Sequence, residues 1–410
     1  MLVGRRYRLA LDAEQSAYAG HVGDTCRSLW NSALDQRQTA VQLNRGRTDD
    51  RRQYPTFASQ CRELAEAKHT EPWLAEAPSQ CLQQTLRDLD KACKQHGVWR
   101  LHWRGKRRWE PSFRYPDATQ IGEARRLSRH VGVVRLPKLG SVRFRWSQAI
   151  GGVVRNVTVQ RAGRRWYITF CVETGVVDAA PNGRPPVGID RGVVIPVATS
   201  DGECFSFVGL SLSERRRLRH LYRRLARQKK GSNRRRRNVA AIGHVYERAR
   251  NRRADFCHQT AHKLTTQHGL VVVEDLRVKA MTASARGTIT EPGTNVRQKA
   301  GLNRSILDKA WSQLRTMLEW HGRKNGCSIL AVPAAYTSQT CSNCGQVAAE
   351  SRESQARFWC QACGHRANAD VNAAQVVLAA GLAVSGRGGL AAGPPVKRQP
   401  PGQEVAYAAA

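Results

Sequence analysis

Two Cys-x2-Cys pairs, Cys341-Ser-Asn-Cys344 and Cys360-Gln-Ala-Cys363, stand fifteen residues apart in a chain of 410. A tight turn over two intervening residues aims both sulfurs of a pair at one point. Two such pairs at this separation describe a tetrahedral four-cysteine zinc site. Each pair is followed by a glycine, Gly345 or Gly364, which permits the left-handed backbone such a turn uses. Four thiolates close the coordination sphere, so the expected Zn2+ is structural, with no position left for a reacting water. His365 can stand in for a neighbouring ligand but is not needed. The other eight cysteines, Cys26, Cys171 and Cys327 among them, show no pairing and read as thiols rather than disulfides.

The charge balance narrows the partner. Lys and Arg number 67 against 32 Asp and Glu, a formal net charge of +35. Self-repulsion of that size is commonly offset by a polyanion, and nucleic acid is the usual one. No apolar stretch approaches the ~18–20 residues of a membrane-spanning helix, so a membrane is not expected as partner. The opening Met1-Leu-Val-Gly-Arg-Arg-Tyr-Arg lacks the apolar core of a secretory leader, and a cytoplasmic, nucleoid-associated location is expected. The basic charge peaks between Arg215 and Arg253, where seventeen Lys/Arg accompany one acid, Glu247. Leu218, Leu221, Tyr222 and Leu225 recur there at helical spacing, so one stripe can pack while the rest presents arginine. Arg234, Arg235, Arg236 and Arg237 form an unneutralised run that suits a phosphate backbone.

Composition divides the chain. Residues 12–112 carry the helical period, and residues 113–177 are β-branched and aromatic runs between glycine turns, several alternating apolar with Arg. Seven of the ten tryptophans, Trp30, Trp73, Trp99, Trp103, Trp109, Trp146 and Trp166, fall in this first half, and most are expected in the core. Residues 178–186 are a Pro/Gly linker. The Gly/Pro-rich residues 385–410 are expected to be disordered.

Three acids in the second half share a pattern. Asp190 interrupts the apolar strand Val187-Gly-Ile-Asp190, and a buried carboxylate needs a cation or a hydrogen-bond network. Glu274 ends the continuous apolar run Gly269–Val273, which reads as a parallel strand buried on both faces. Acids at the carboxyl edge of such a strand lie where α/β sheets place ligands. Alternation sends Glu274 inward and Asp275 the other way. Asp370 lies in the first turn of an alanine-rich helix just after the second cysteine pair. A meander, a basic helix, a parallel strand, a helix marked by Ile306, Ala310, Leu314 and Met317, a further strand (328–332) and a last helix form the RNase H-like order. Acids on its first strand, fourth strand and final helix converge on two divalent ions. Two Mg2+ ions ~3.5–4 Å apart clamp the attacking and leaving oxygens of a phosphodiester displacement, and such hard ions take carboxylate oxygen.

The strings Val-Gly-Ile-Asp190-Arg-Gly, Val-Val-Val-Glu274-Asp-Leu, Tyr336-Thr-Ser-Gln-Thr-Cys-Ser-Asn-Cys-Gly345 and Ala369-Asp-Val-Asn-Ala-Ala374 resemble the nuclease and zinc-ribbon half of TnpB, the transposon-encoded RNA-guided nucleases ancestral to compact type V CRISPR effectors. Tyr7-Arg-Leu-Ala, Leu29-Trp30-Asn-Ser-Ala-Leu34, Ser112-Phe-Arg-Tyr-Pro116 and Ser305 to Trp311 extend the likeness nearly end to end. The resemblance implies an α/β multi-domain protein: an RNase H-like (RuvC) nuclease core with an inserted four-cysteine zinc ribbon, preceded by a β-barrel wedge domain holding a helical recognition domain. The implied domains are a wedge-like barrel (1–11 and 113–177), a recognition domain (12–112), a RuvC-like nuclease (187–335 and 367–384) and a zinc ribbon (336–366). Asp190, Glu274 and Asp370 then map onto the family's catalytic, magnesium-binding acids. The implied partners are a guide RNA and double-stranded target DNA, bound by a monomer in the ribonucleoprotein. Protein contacts read a short flanking motif, with Gln83 and Gln84 in the region that reads it, and base pairing reads the rest. A lid corresponds to Met281–Leu302.

Two other functions fit part of this pattern. A guided protein that represses without cutting would share everything except the need for three acids. A DDE-type transposase would share the RNase H-like core, but a zinc ribbon between its last strand and last helix suits it less well.

Overall fold

The computed structural model describes residues 2–45, 54–106, 109–175, 178–354 and 356–385; the expected disordered tail, from residue 386 on, lies outside them. The chain forms two compact units, Met1–Val177 with Arg224–His244, and Asp178–Arg223 with Val245–Ala410.

The first unit joins four helices to a sheet. After β1 (Leu2–Ala10) come α1 (Ala13–Leu43), α2 (Phe57–Thr70), α3 (Pro72–Glu76) and α4 (Ser79–His96). Asp12 starts α1 with a reciprocal cap, its carboxylate accepting from the Gln15 backbone at 2.7 Å, which satisfies a donor that a helix start otherwise leaves free. Leu82, Leu86 and Leu89 of α4 recur at helical spacing and are fully buried with Val22, Cys26 and Leu34 of α1. Then follow β2 (Ser112–Tyr115), β3 (Arg125–Arg126), β4 (Val131–Leu136), β5 (Gly140–Arg145), β6 (Val153–Ala162) and β7 (Arg165–Glu173). All pairings are antiparallel, in the order β2-β6-β7-β1-β5-β4-β3. Strand alternation puts Tyr7, Phe144 and Phe170 into one ring cluster, with centroids 5.2 to 5.6 Å apart. Arg6, Arg8, Arg143 and Arg145 take the solvent side, giving the cationic face the alternation predicts.

The tryptophan expectation needs correcting. Only Trp30 and Trp166 of the seven are buried, while Trp73, Trp99 and Trp103 are exposed. The Arg104 guanidinium lies 3.5 Å from the Trp30 ring and 4.3 Å from that of Trp109. A cation between two indole faces is itself stabilising, and it uses these rings without a fully apolar surround.

The second unit is a mixed sheet covered on both faces. Its strands are β8 (Pro186–Asp190), β9 (Val197–Thr199), β10 (Cys204–Phe205), β11 (Leu270–Glu274) and β12 (Ser328–Val332). Its helices are α5 (Leu212–Arg227) as far as Arg223, α6 (Asn233–Gln267) from Val245 on, α7 (Val278–Met281), α8 (Val296–Lys309), α9 (Trp311–Asn325) and, after the short strands β13 (Arg357–Trp359) and β14 (Arg366–Asn368), α10 (Ala369–Ser385); the end of α5 and the start of α6 belong to the first unit. Strand order is β10-β9-β8-β11-β12. β8, β9 and β10 form an antiparallel meander, and β11 runs parallel to β8 and β12. On one face Val187, Ile189, Val271 and Val273 pack with Leu264 of α6 and Leu314 and Leu318 of α9. On the other, Val272 and Val332 meet Val377 of α10. Burial of both faces explains why β11 is apolar at every position before Glu274.

The helix expected to carry Ile306, Ala310, Leu314 and Met317 on one face is instead two, broken at Ala310 with φ 55°. The Leu307 carbonyl, which would bond the Trp311 N–H in a continuous helix, accepts from the Arg253 guanidinium at 3.2 Å. That bond and the Arg253–Asp308 ion pair help offset the ~1–2 kcal/mol of a left-handed alanine. The segment Met281–Leu302 is also more regular than the expected lid loop, since α8 begins at Val296 and Gly287 bridges Pro292.

α10 approaches the sheet through two glycines. A Cβ on Gly188 of β8 would lie 2.1 Å from the Ala374 carbonyl oxygen, and one on Gly381 would lie 2.4 Å from Val272. Only hydrogen fits at these contacts. Gly188→Ala is therefore expected to push α10 away from β8 and cost about 2 kcal/mol of stability, read as a lower melting temperature. An unchanged melting temperature would show that the helix shifts freely.

Candidate functional site

The sheet itself brings two acids together. Ile189 of β8 pairs in register with Val273 of β11, so Asp190 and Glu274 are the next residues along two adjacent parallel strands. Such strands lie ~4.8 Å apart and their in-register side chains share a face. The third acid arrives with α10, whose close seating at Gly188 lays it beside β8. Asn368 caps the helix, its side-chain oxygen accepting from the backbones of Asp370 at 3.0 Å and Val371 at 3.2 Å, and so fixes Asp370 in the first turn.

Asp190 feels both other carboxylates. Burial, then the charges of Glu274 and Asp370, push Asp190 up to about 7. Burial raises Glu274 and Asp370 as well. Glu274 is 6% exposed and Asp370 8% exposed, so both have surrendered hydration without a full set of partners. Asp275 takes the opposite direction, as alternation predicts, and pairs with Arg315 at 2.7 Å.

Three partners of these acids were not singled out from the sequence, although Arg191 and Thr337 lie within the quoted motifs. Thr337 is buried and donates its hydroxyl to Glu274 Oε1 at 2.6 Å. Arg352 donates to Asp370 Oδ1 at 3.4 Å, and its charge opposes the upward shift of all three acids. Arg191 is 4% exposed; its guanidinium donates to the Glu274 carbonyl and, at 3.4 Å, to that of Trp311. The end of β11 is thereby tied to the start of α9. The threonine and the two arginines come from a turn, a loop and a strand end, where no periodicity marks a side chain's direction. The nearest signal was the adjacency of Arg191 to Asp190.

The four cysteines gather as their spacing predicts. Their sulfurs all lie within 4.8 Å of one another, with Cys341–Cys363 at 3.8 Å and Cys344–Cys360 at 3.6 Å. A tetrahedron with Zn–S bonds of ~2.3 Å has edges of ~3.8 Å, so the cluster fits one such ion, whereas a disulfide would need sulfurs ~2 Å apart. Gly345 and Gly364 take φ 75° and 71°, the conformation expected of them. The His365 backbone N–H pulls the Cys363 thiol down to about 6, a step toward the thiolate that a metal needs. His365 itself turns to Ser342, with Nε2 3.5 Å from the hydroxyl oxygen. Fully buried Asn372 of α10 accepts from the Ser342 backbone at 2.9 Å and donates to the Thr340 carbonyl at 2.8 Å. The first cysteine loop and the helix bearing Asp370 are thus clamped together.

The nucleic-acid candidates divide. Arg234, Arg236 and Arg237 are exposed, while Arg235 is half-buried and donates to the Leu225 and Gln228 carbonyls. That guanidinium completes the end of α5, where a helix leaves carbonyls unpaired, and it leaves the proposed phosphate-facing set. Tyr222 is likewise exposed, with Leu218 and Leu221 alone fully buried in the α5 stripe. Gln83 is exposed, and Gln84 is engaged with Asp88 at 2.7 Å, one helical turn on. Among the described residues, no helix is long and apolar enough to cross a membrane.

The cysteine cluster yields a direct test. Replacing Cys341 and Cys344 by Ser is expected to remove one equivalent of tightly bound zinc and to lower the melting temperature, since binding energy at such a site is folding energy. Metal analysis showing the same zinc content in the double variant would contradict this geometry.

Three families match the chain. One described as "Probable transposase" (OrfB of IS605) covers residues 169–285, one described as "Cas12f1-like, TNB domain" covers 311–377, and one described as "Helix-turn-helix domain" covers 1–46. In this chain the described part of the last segment folds as β1 and the single helix α1. A protein of Escherichia coli (strain K12) named "Putative RNA-guided DNA endonuclease InsQ" is 37% identical over 398 residues, 96% of each chain. A Streptomyces pristinaespiralis protein named "Putative RNA-guided DNA endonuclease" is 30% identical over 93% of this chain and 90% of its own. Among solved structures, a Cas12f1 seen by cryo-EM with an sgRNA and target DNA shares the fold, with a TM-score of 0.55 over 90% of this chain and 83% of its own at 14% identity. A relative this similar along nearly its whole length, together with the IS605 and Cas12f1-like matches from residue 169 onward, establishes that the chain belongs to the TnpB family of IS605-type elements.

Proposed function

We propose that this chain is an RNA-guided DNA endonuclease whose cutting site is formed by Asp190, Glu274 and Asp370. The observation that carries the proposal is the placement of these acids: the register of β8 and β11 sets Asp190 beside Glu274, and α10, seated closely on Gly188, brings Asp370 to β8. Carboxylates forced together and short of water are a binding site for cations. The meander followed by parallel β11 and β12, with the acids on the first strand, the fourth strand and the last helix, supports an RNase H-like core of the RuvC type. The names of the two relatives support the guided, DNA-directed activity.

The donor set consists of carboxylate oxygens alone, which suits Mg2+ rather than a softer ion. Two Mg2+ ions held there would supply charge to the attacking and leaving oxygens of a phosphodiester hydrolysis. This chain's own residues do the rest. Thr337 holds the Glu274 carboxylate in one orientation, Arg191 holds its backbone, and Asn368 holds the helix turn that presents Asp370. Arg352 offers a guanidinium to the same space, a fork suited to phosphate oxygens. The four cysteines would hold Zn2+, Asn372 ties the first cysteine loop to α10, and Arg352 lies on the stretch between the two cysteine pairs.

The remaining parts follow the same reading. A guide RNA and double-stranded target DNA are the partners that a charge of +35 suits, with Arg234, Arg236 and Arg237 on the phosphate side. The antiparallel sheet of the first unit serves as the wedge domain, its helices as the recognition domain, and Met281–Leu302 as the lid over the acids. The ribonucleoprotein works as a monomer.

The test uses the protein purified with its copurifying RNA and a plasmid library randomised beside a guide-matched target. Wild type is expected to cleave only with Mg2+ and only beside a short motif. Asp190→Ala is expected to retain RNA and target binding and to lose cleavage by about three orders of magnitude or more. Cleavage at the wild-type rate by that variant would overturn the assignment of the acids.

A further inference from the structure

α6 carries His258 and His262 four residues apart, a spacing that sets two side chains one above the other on one helical face. α9 brings a third imidazole to them. The ring of His321 lies 5.8 Å from that of His258 and 5.4 Å from that of His262, centroid to centroid. Trp320 meets the His321 ring edge to face at 4.5 Å and restricts its orientation.

The environment of His321 is unusual. The residue is 8% exposed, and among the described residues neither ring nitrogen has a hydrogen-bond partner. A buried polar group is nearly always bonded, and an orphan calls for an unseen partner. An unpartnered ring nitrogen is what an imidazole offers to a metal ion. His258 and His262 are exposed.

We infer that His258, His262 and His321 form a second metal site, for one divalent transition ion of the imidazole-preferring class such as Ni2+ or Zn2+. Two histidines at i and i+4 on one helix, completed by a ligand from a neighbouring element, is an arrangement that holds such ions. Three nitrogen donors favour them over Mg2+, which takes oxygen. Among the described residues only the cysteine ligands already lie within 4.8 Å of one another. Binding here therefore turns the exposed rings of His258 and His262 toward the fixed ring of His321. Water fills the remaining positions, and the ion ties α6 to α9. The site is independent of the carboxylates and of the cysteine cluster.

The experiment is a calorimetric titration of the untagged, zinc-replete protein with Ni2+ in a large excess of Mg2+, which occupies carboxylates and leaves imidazole free. Wild type is expected to bind one Ni2+ per chain and to melt at a higher temperature with it. Replacing His258 or His262 by Ala should weaken binding about tenfold or more, and replacing both should abolish the one-to-one event and the melting shift. Both positions are exposed, so the variants keep the core that a change at His321 would disturb. Ni2+ binding by the double variant with wild-type affinity, or no one-to-one binding by wild type, would overturn the site.

Discussion

Three carboxylates drawn into one half-buried space repel one another and lose hydration together, and the second unit of this chain is built around that conflict. Register sets Asp190 beside Glu274. The absence of a side chain at Gly188 lets α10 come close enough to add Asp370. Burial and like charge then raise Asp190 to about 7. Without a cation the arrangement is costly, and the resident answer is partial: one guanidinium, Arg352, opposes all three shifts. A site whose own arginine cannot neutralise three acids is suited to multivalent cations.

The cysteine cluster bears on the same conflict from outside. It contributes no acid and leaves no open ligand position. Asn372 hydrogen-bonds the first cysteine loop to α10, and Thr337, in the turn before that loop, orients Glu274. Arg352 lies between the two cysteine pairs. Losing the cluster would therefore loosen the geometry of the acids as well as the local fold. An element that is structural by its own chemistry becomes, by its attachments, part of what positions the three acids.

Much of this was legible in the residues because it follows strong local rules. Cysteine spacing, the glycines after each pair, the apolar run ending at Glu274 and the alternation separating it from Asp275 all leave a one-dimensional trace. The break at Ala310 left none, because it depends on Arg253, far away in sequence, taking the Leu307 carbonyl. The tryptophans misled for a related reason: residue type speaks of an average environment, and Arg104 between two indoles is a particular one. Arg235 looked like its neighbours until the unpaired end of α5 gave it separate work. Thr337, Arg191 and Arg352 act across tertiary contacts that no period in the sequence encodes.

The proposed role of Asp190, Glu274 and Asp370 requires that together they cage two ions. Mn2+ substituted for Mg2+ reports this directly by electron paramagnetic resonance on the zinc-replete ribonucleoprotein bound to target DNA. A two-ion cage gives a spin-coupled pair of Mn2+ ions, about 4 Å apart, that collapses to uncoupled signal in Asp190→Ala. A wild-type complex showing only isolated Mn2+, with a spectrum indifferent to that replacement, would contradict it.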